Sequence, residues 1–499
     1  MNSHLFLVTF FVYIVAMILF GWWVSRNDRG TGDDFLLGGR GVPIFLTIGT
    51  TVATMVGTGS SMGAVGFGYA NGWGGALYGI GGAIGVLLLA VCFSGVRRLR
   101  FMTMSEELSY YVGANRIVRN VVALLIYIAC IGWLGAHILG GGLYLAWMAD
   151  IPAWQAKLIV ALGFGVYCVI GGYMAVVWTD TVQAVVLFIG FFLMAAVAVF
   201  DAGGFGAISE QIDPAALSFL GIDKIGLIPA ISLSAVIAVG VLATPSFRQR
   251  IYSGASAGSV RRSFLVTGVL YMAFSIVPAI IGMATYALNP ELENTNFAFP
   301  YLATEVLPLW LGLLLLVAGL SATMSSASSD AIAGVTTLIR DVYVLFKGRA
   351  PSAANVVRFS RLGLVFTIGL ALAFALSSDN VIKYITSMVS TVLSGMFVCG
   401  MLGRFWPRYN WQGAMASLVV ASVTSLVMLY VMPDWKTFWG NPAIPSVVLS
   451  ALAGVVVSLL TPASRLTDEQ ALEKISEERK RMEAVPEVPL GSKGKPAGA

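Results

Sequence analysis

The chain has 499 residues, 58% of them hydrophobic and 11% charged, with a mean hydropathy of +0.84 and a formal net charge of +5. Soluble domains carry about a quarter charged residues, so this composition excludes a soluble globular protein and predicts an all-α polytopic membrane protein. The positive balance points to an anionic inner leaflet as the contact surface and not to nucleic acid.

A hydrocarbon layer of roughly 30 Å needs about 20 apolar residues per helix. Thirteen segments qualify, giving about 13 transmembrane helices. The first is 5–24; it has no basic flank before it, and "GWWVSRNDRG" follows it with no small-residue cleavage site, so a retained helix is expected and not a signal peptide. Next come 42–70, 74–95, 117–148, 153–174 and 180–201, and then 226–249, 262–288, 304–342, 357–377, 381–403, 411–432 and 444–460. With the N-terminus outside, all 30 Lys and Arg fall on the cytoplasmic side except Lys157, Lys224, Lys383 and Lys436, as the positive-inside rule requires. The expected location is a plasma membrane, with a cytoplasmic C-terminus.

Two of these segments are interrupted at mid-membrane. In "IGTTVATMVGTGSSMGAVGFGYANG" the break is Gly57, Thr58, Gly59, Ser60 and Ser61; five helices later, in "LSAVIAVGVLATPSFRQR", it is Gly240, Thr244 and Pro245. Irregular backbone at that depth is tolerated only inside protein or along a cavity. Paired breaks point to an inverted-repeat transporter with its site between the halves, although small residues also serve plain helix packing. The expected units are 1–41 (an extra helix and loop), 42–201 (first repeat), 202–225 (an external loop), 226–403 (second repeat), 404–463 (two further helices) and 464–499 (a cytoplasmic tail). In that tail Thr467 and Gln470 stand at capping-box spacing ahead of a charged helix, and disorder is expected after Val485.

The run "GLSATMSSASSDAIAG", 319–334, places Ser325, Ser328 and Ser329 on one arc of an apolar helix and Ser326 with Asp330 on the next. Such a wall of oxygens suits a hard cation such as Na⁺, completed by carbonyls near Val52 and Met55; the bland alternative is interhelical hydrogen bonding. Intramembrane carboxylates are functional by default. Asp180 is either a helix cap, since Gln183 stands at capping-box spacing, or a cation ligand. Asp330 is a ligand, a proton or ion carrier, or a carboxylate reaching water or Arg358. His137, the sole histidine within an apolar segment, is expected to be satisfied by a neighbouring carbonyl or else to touch solute, and Trp133 to be a packing aromatic. Cys92, Cys130, Cys168 and Cys399 have no paired spacing and read as small hydrophobes.

The pieces "GGYMAVVWTDTVQ" (171–183), "SATMSSASSD" (321–330), "FLLGGRGV" (35–42) and "ATPSFRQR" (243–250) together give a chain that resembles the sodium:solute symporter family over roughly residues 5–460. The resemblance implies a LeuT-like five-plus-five inverted repeat, Na⁺ as the coupling ion, a bacterial inner membrane and no enzymatic activity. It places one sodium site on the carbonyls of Val52 and Met55 with Ser325 and Ser326, and a second on Asp180, Ser325, Ser328 and Ser329. Asp330 is outside the pattern that carries over. The aromatic positions of the choline carriers fall on Met55 and Thr244, and the polar positions of the sugar carriers on Thr58 and Gly59, which disfavours both solutes.

The solute pocket is expected between Gly57, Thr58, Ser60, Trp133, His137, Gly240 and Thr244, where freed N–H groups at a half-helix start favour a carboxylate or an amino acid. The expected partners are a small-molecule solute and the lipid bilayer, with no obligate protein partner. The rival readings are a proton-coupled carrier using Asp330 or His137, a transporter-like sensor, which the short tail opposes, and an intramembrane enzyme, for which no nucleophile–base pair is evident.

Overall fold

Lipid offers no partner to a free N–H or C=O, so an apolar chain must satisfy its backbone within helices. The computed structural model is helical throughout; it describes residues 3–26, 32–352, 355–378, 380–463 and 466–484, among which a lone bridge between Val42 and Gly254 is the nearest thing to a sheet. Ten helices are long and apolar enough to cross a membrane, or eleven if the bent pair Leu227–Ala243 and Pro245–Ser253 is one span. The sequence expectation of thirteen differs because two long helical runs each cover two expected segments. Gly59–Cys92 joins the second half of one to the next, and Ala153–Asp201 merges 153–174 with 180–201.

At 1.5 Å per residue a straight helix of the latter's 49 residues would be about 74 Å long, more than twice a bilayer core. It is two helices meeting at a kink at Gly172, whose φ of 61° and ψ of −156° lie where only glycine goes readily. A Cβ there would also lie 2.7 Å from the Phe35 ring and 3.0 Å from the Phe35 carbonyl oxygen. Gly172→Ala is expected to destabilise the fold by about 1–3 kcal/mol from the backbone alone. The thermal midpoint of the detergent-solubilised protein reads this, and an unchanged midpoint would mean that the kink is not strained.

The serine-bearing helix Leu309–Thr337 lies at the centre, packed on Arg116–Ala149, on Ala153–Asp201 and on Ile44–Met55. Every residue from Ala318 to Thr337 is buried, so its hydroxyls face protein. The peripheral helix Ser3–Ser25 shows the opposite pattern: Phe6, Phe10 and Tyr13 are buried on one side while Val8, Phe11, Val12 and Val15 are exposed on the other, the signature of a helix between protein and lipid. Trp411–Tyr430 and Ala443–Leu460 pack through small residues, with Ser417 Oγ donating to the Ser450 carbonyl at 3.1 Å and Ser450 Oγ to the Ser417 carbonyl at 2.8 Å. All four cysteines are free thiols; Cys130, Cys168 and Cys399 are buried.

The charged tail folds as Asp468–Ala484, and its start is the capping box read from sequence: the Thr467 amide donates to Gln470 Oε1 at 3.0 Å and the Gln470 amide to Thr467 Oγ1 at 3.3 Å. The expected disorder after Val485 lies outside the described residues. Arg479 pairs with Glu106, and Glu478 with Arg119 at 3.2 Å, which docks the tail on the Arg-rich end of the bundle. Burial alone would raise the Glu106 pKa, but Arg479 and Arg119 together hold it below the usual carboxylate range. Its stabilising contribution is therefore present above the ordinary carboxylate pKa and lost as pH falls through the lowered one.

Candidate cation and solute site

Both interruptions expected from sequence are present but narrower: Gly59, Ser60 and Ser61 belong to the coil that follows the first, and Gly240 lies inside Leu227–Ala243. Ile44–Met55 ends at Val56 (φ −87°, ψ 60°), and the chain coils again from Gly59. At the other, Thr244 is extended (φ −75°, ψ 126°) between Leu227–Ala243 and Pro245–Ser253, which are bent by 44°. Gly57 permits a close approach, since a Cβ on it would lie 2.5 Å from Ser326 Oγ and 3.1 Å from the His137 ring.

Ser325 and Ser326 point into the first break. Ser325 Oγ donates to the Ala53 carbonyl at 3.0 Å, and Ser326 Oγ lies 3.2 Å from the Thr54 carbonyl and 3.4 Å from that of Ala53. The carbonyls expected from sequence, those of Val52 and Met55, flank these two: Val52 O accepts from the Val56 amide and Met55 O from Ser60 Oγ. The oxygens of Ser325, Ser326, Ala53 and Thr54 thus converge where the helix unwinds, with Ser325, Ser326 and Ala53 fully buried and Thr54 half-buried. With no ion between them the hydroxyls donate to the carbonyls; a cation in their midst would turn all of these oxygens into ligands.

Asp180 is not a helix cap. It lies inside Ala153–Asp201, eight residues beyond the kink, with no exposed surface, and Gln183 Nε2 donates to the Tyr13 hydroxyl instead of closing a box. Asp180 Oδ2 accepts from Thr50 Oγ1 at 2.6 Å and Ser329 Oγ at 3.0 Å, and Oδ1 from Ser328 Oγ at 3.4 Å. The oxygens of the expected second cation site therefore do assemble, except that Ser325 turns to Ala53. Sequence reasoning missed the group that fills the assembly. Arg250 Nη2 lies 2.8 Å from Thr50 Oγ1, 2.5 Å from Thr54 Oγ1, 2.6 Å from Ser329 Oγ and 3.3 Å from Asp180 Oδ2. One nitrogen with two hydrogens is surrounded by four oxygens, so the guanidinium stands where a free cation would stand. In the sequence Arg250 counted as one of the inward charges and as the end of "ATPSFRQR", with no role at the cation site; its place just after the second break was the available signal.

Asp330 is buried, whereas Arg358 is exposed and is not its partner. Its Oδ2 lies 3.2 Å from His137 Nε2, and His137 Nδ1 lies 3.1 Å from Thr58 Oγ1, so the histidine is satisfied by a carboxylate and a hydroxyl and not by the expected carbonyl. Trp133 stacks on His137 at 6.3 Å between ring centres. Asp330, His137 and Trp133 line a central cavity of about 40 Å³ together with Gly57, Ser60, Thr244 and Tyr271, while Thr58, bonded to His137, is outside that lining. The Gly240 position lies beside it, its missing Cβ 3.6 Å from the Trp133 ring. The expected pocket residues are thus brought to one place.

A larger cavity of about 590 Å³ opens at the end carrying Lys224, Lys383 and Lys436. Ile385 and Tyr78 lie against Gly59, and Ile382 against Gly63, so a thin layer separates it from the central cavity. The Arg-rich end is sealed more heavily. Arg248 Nη1 pairs with Glu107 Oε1 at 3.0 Å, its guanidinium carbon lies 3.5 Å from the centre of the Phe93 ring, and Gln249 Nε2 donates to the Leu36 carbonyl at 2.8 Å.

Paired helix breaks around buried oxygens and an occluded cavity agree with the comparisons to known proteins. The description "Sodium:solute symporter family" matches residues 35–421. The chain belongs to the sodium:solute symporter family. Among curated members, the sodium/proline symporter of Salmonella typhimurium (strain LT2) is 26% identical over 481 residues, covering 92% of this chain and 93% of that protein. The sodium/pantothenate symporter of Escherichia coli (strain K12) is 26% identical over 463 residues, covering 88% and 94%. A solved Na⁺-coupled sialic acid symporter in a substrate-bound outward-open state superposes with a TM-score of 0.80 at 21% identity, covering 93% of this chain and 99% of that one. The fold of this symporter is therefore the LeuT-like one, and the protein is an integral membrane transporter, not an enzyme.

Proposed function

We propose that the protein is a Na⁺-coupled symporter that imports a small carboxylate or amino acid by alternating access, with the Arg-rich end in the cytoplasm and the large cavity facing outside. The observation that carries this reading is the convergence of the Ser325 and Ser326 hydroxyls on the Ala53 and Thr54 carbonyls, beside the central cavity. A cation bridging these oxygens ties the serine helix to the unwound one and so favours the conformer that holds the solute. Its loss to a low-sodium cytoplasm would loosen both. Counterflow of a labelled carboxylate and amino-acid panel in proteoliposomes, with and without sodium, tests the reading; uptake indifferent to sodium would sink it.

The position of Arg250 beside Asp180 supports a reading of one coupling sodium per cycle. Arg250→Gln is expected to vacate that cage and raise the Hill coefficient for sodium from about one toward two. A coefficient that stays at one would show that the cage takes no ion. A second reading, proton coupling through His137 and Asp330, is favoured by their contact; uptake driven by a pH gradient in sodium-free buffer would select it.

A further inference from the structure

The central cavity contains polar groups with nothing to bond to. Asp330 Oδ1 is buried without a hydrogen-bond partner, as is Trp133 Nε1. Among the described residues, the amides of Gly57 and Thr58 also donate to no protein oxygen. Buried polar atoms left unmade are costly, so a cluster of them around a cavity marks the outline of a ligand.

Counting hydrogens fixes what each group can do. The Thr58 hydroxyl hydrogen goes to Thr323 Oγ1 at 3.2 Å, so His137 Nδ1 must be the donor in its contact with Thr58. A single proton must then lie between His137 Nε2 and Asp330 Oδ2, on one or the other. In either arrangement the pair is neutral overall, and Asp330 Oδ1, which faces no other donor, can only accept. The cavity therefore offers one acceptor on the serine helix, and donors from the Trp133 indole and the Gly57 amide at the break.

We propose that Asp330 Oδ1 accepts a hydrogen bond from an N–H group of the solute while the free Gly57 amide and the Trp133 indole take its carboxylate. The solute class is then an amino or imino acid, and carboxylates lacking the nitrogen are rejected. This rests on the solute-transport reading above and narrows it. A carboxylate without the N–H donor leaves Oδ1 buried and unpaired in the bound state; discrimination of roughly 10- to 100-fold in kcat/KM is expected.

The experiment uses the full chain in proteoliposomes with matched pairs of labelled probes: L-alanine against propionate, L-proline against cyclopentanecarboxylate, and L-leucine against 4-methylpentanoate. Sodium-driven uptake of an amine-bearing member, discrimination of at least tenfold against its partner, and a loss of at least tenfold in kcat/KM for the amine-bearing member in Asp330→Leu support the proposal. Asp330→Asn, whose Oδ1 can still accept while its Nδ2 donates to His137 Nε2, should keep most of the activity, and Asp330→Leu should leave the weak uptake of the nitrogen-free partner unchanged, which a merely structural role would not produce. Uptake of a nitrogen-free partner at a comparable rate, transport of no amine-bearing member, or full activity in Asp330→Leu overturns it. Stabilisation of the purified protein by NaCl over KCl, read as a thermal midpoint in wild type and in Asp330→Leu, separates the two readings. If sodium still stabilises while the solute preference fails, only the role of Asp330 is lost; if sodium has no effect, the coupling itself is wrong.

Discussion

Ser326→Ala is expected to raise the sodium concentration for half-maximal uptake at least tenfold, with the maximal rate recovered at saturating sodium. The hydroxyl is fully buried and lies 3.2 and 3.4 Å from two carbonyls of the unwound segment. No bulk water reaches that place to substitute for a lost ligand. A tenfold change corresponds to about 1.4 kcal/mol, at the low end of the roughly 1.5–3 kcal/mol assigned to one hydrogen bond to a charged group. Ser325→Ala should act in the same direction, and the double variant should be less than additive because both hydroxyls address the Ala53 carbonyl. Ser321→Ala is the control: that hydroxyl bonds the Tyr13 hydroxyl at 2.8 Å, one turn away, and its loss should leave the sodium dependence in place. Initial rates against sodium at fixed solute give the answer, and wild-type dependence in both serine variants would remove the ion from this site.

Glu107→Gln should be the most destabilising single change at the Arg-rich end. Glu107 has no exposed surface and holds three groups at once: Arg248 at 3.0 Å, the Tyr111 hydroxyl at 2.9 Å and the Tyr252 hydroxyl. Arg248 is itself only 1% exposed, so losing the carboxylate charge strands a buried guanidinium. Breaking one side of such a pair costs about 3–5 kcal/mol, whereas removing both partners is often close to neutral. E107Q is therefore expected to lower the thermal midpoint markedly, and E107Q with R248M to recover most of the loss. The pair also ties Pro245–Ser253 to the helix Met104–Tyr110, across the end that must part for release inward. If E107Q folds, its resting population should shift toward the conformer open at this end, read as faster labelling of a cysteine placed at Ser246. A single variant as stable as wild type would show the pair to be ornamental.

The amino-acid sequence by itself determined the medium, the helical class, the two breaks and the polar helix, because each follows from local chemistry. An apolar run of about 20 residues has nowhere to go but lipid. Gly57 with Thr58, and Thr244 with Pro245, favour a break through their own backbone preferences, and Thr467 with Gln470 close a cap within one turn. The boundary at Gly172 was harder to see, since glycine is common in membrane helices and its positive φ is not written in its neighbours. Asp180 looked as much like a cap as a ligand for a related reason: a carboxylate three residues before a glutamine has the same local pattern whether or not the helix continues upstream.

Only the tertiary structure decided the partners. Arg250 lies 70 residues from Asp180 in sequence, and His137 lies 193 residues from Asp330. Periodicity along one helix says which residues share a face, not which face of another helix comes against it. The same limit separates the carbonyls of Val52 and Met55 from those of Ala53 and Thr54, because where an unwound turn points its oxygens depends on the backbone angles at Val56 and not on the identity of the residues. Sequence thus supplied the list of costly polar groups in a membrane. Packing alone chose which of them neutralise one another and which are left facing a cavity, because burial makes every unpaired charge or dipole demand a partner across space.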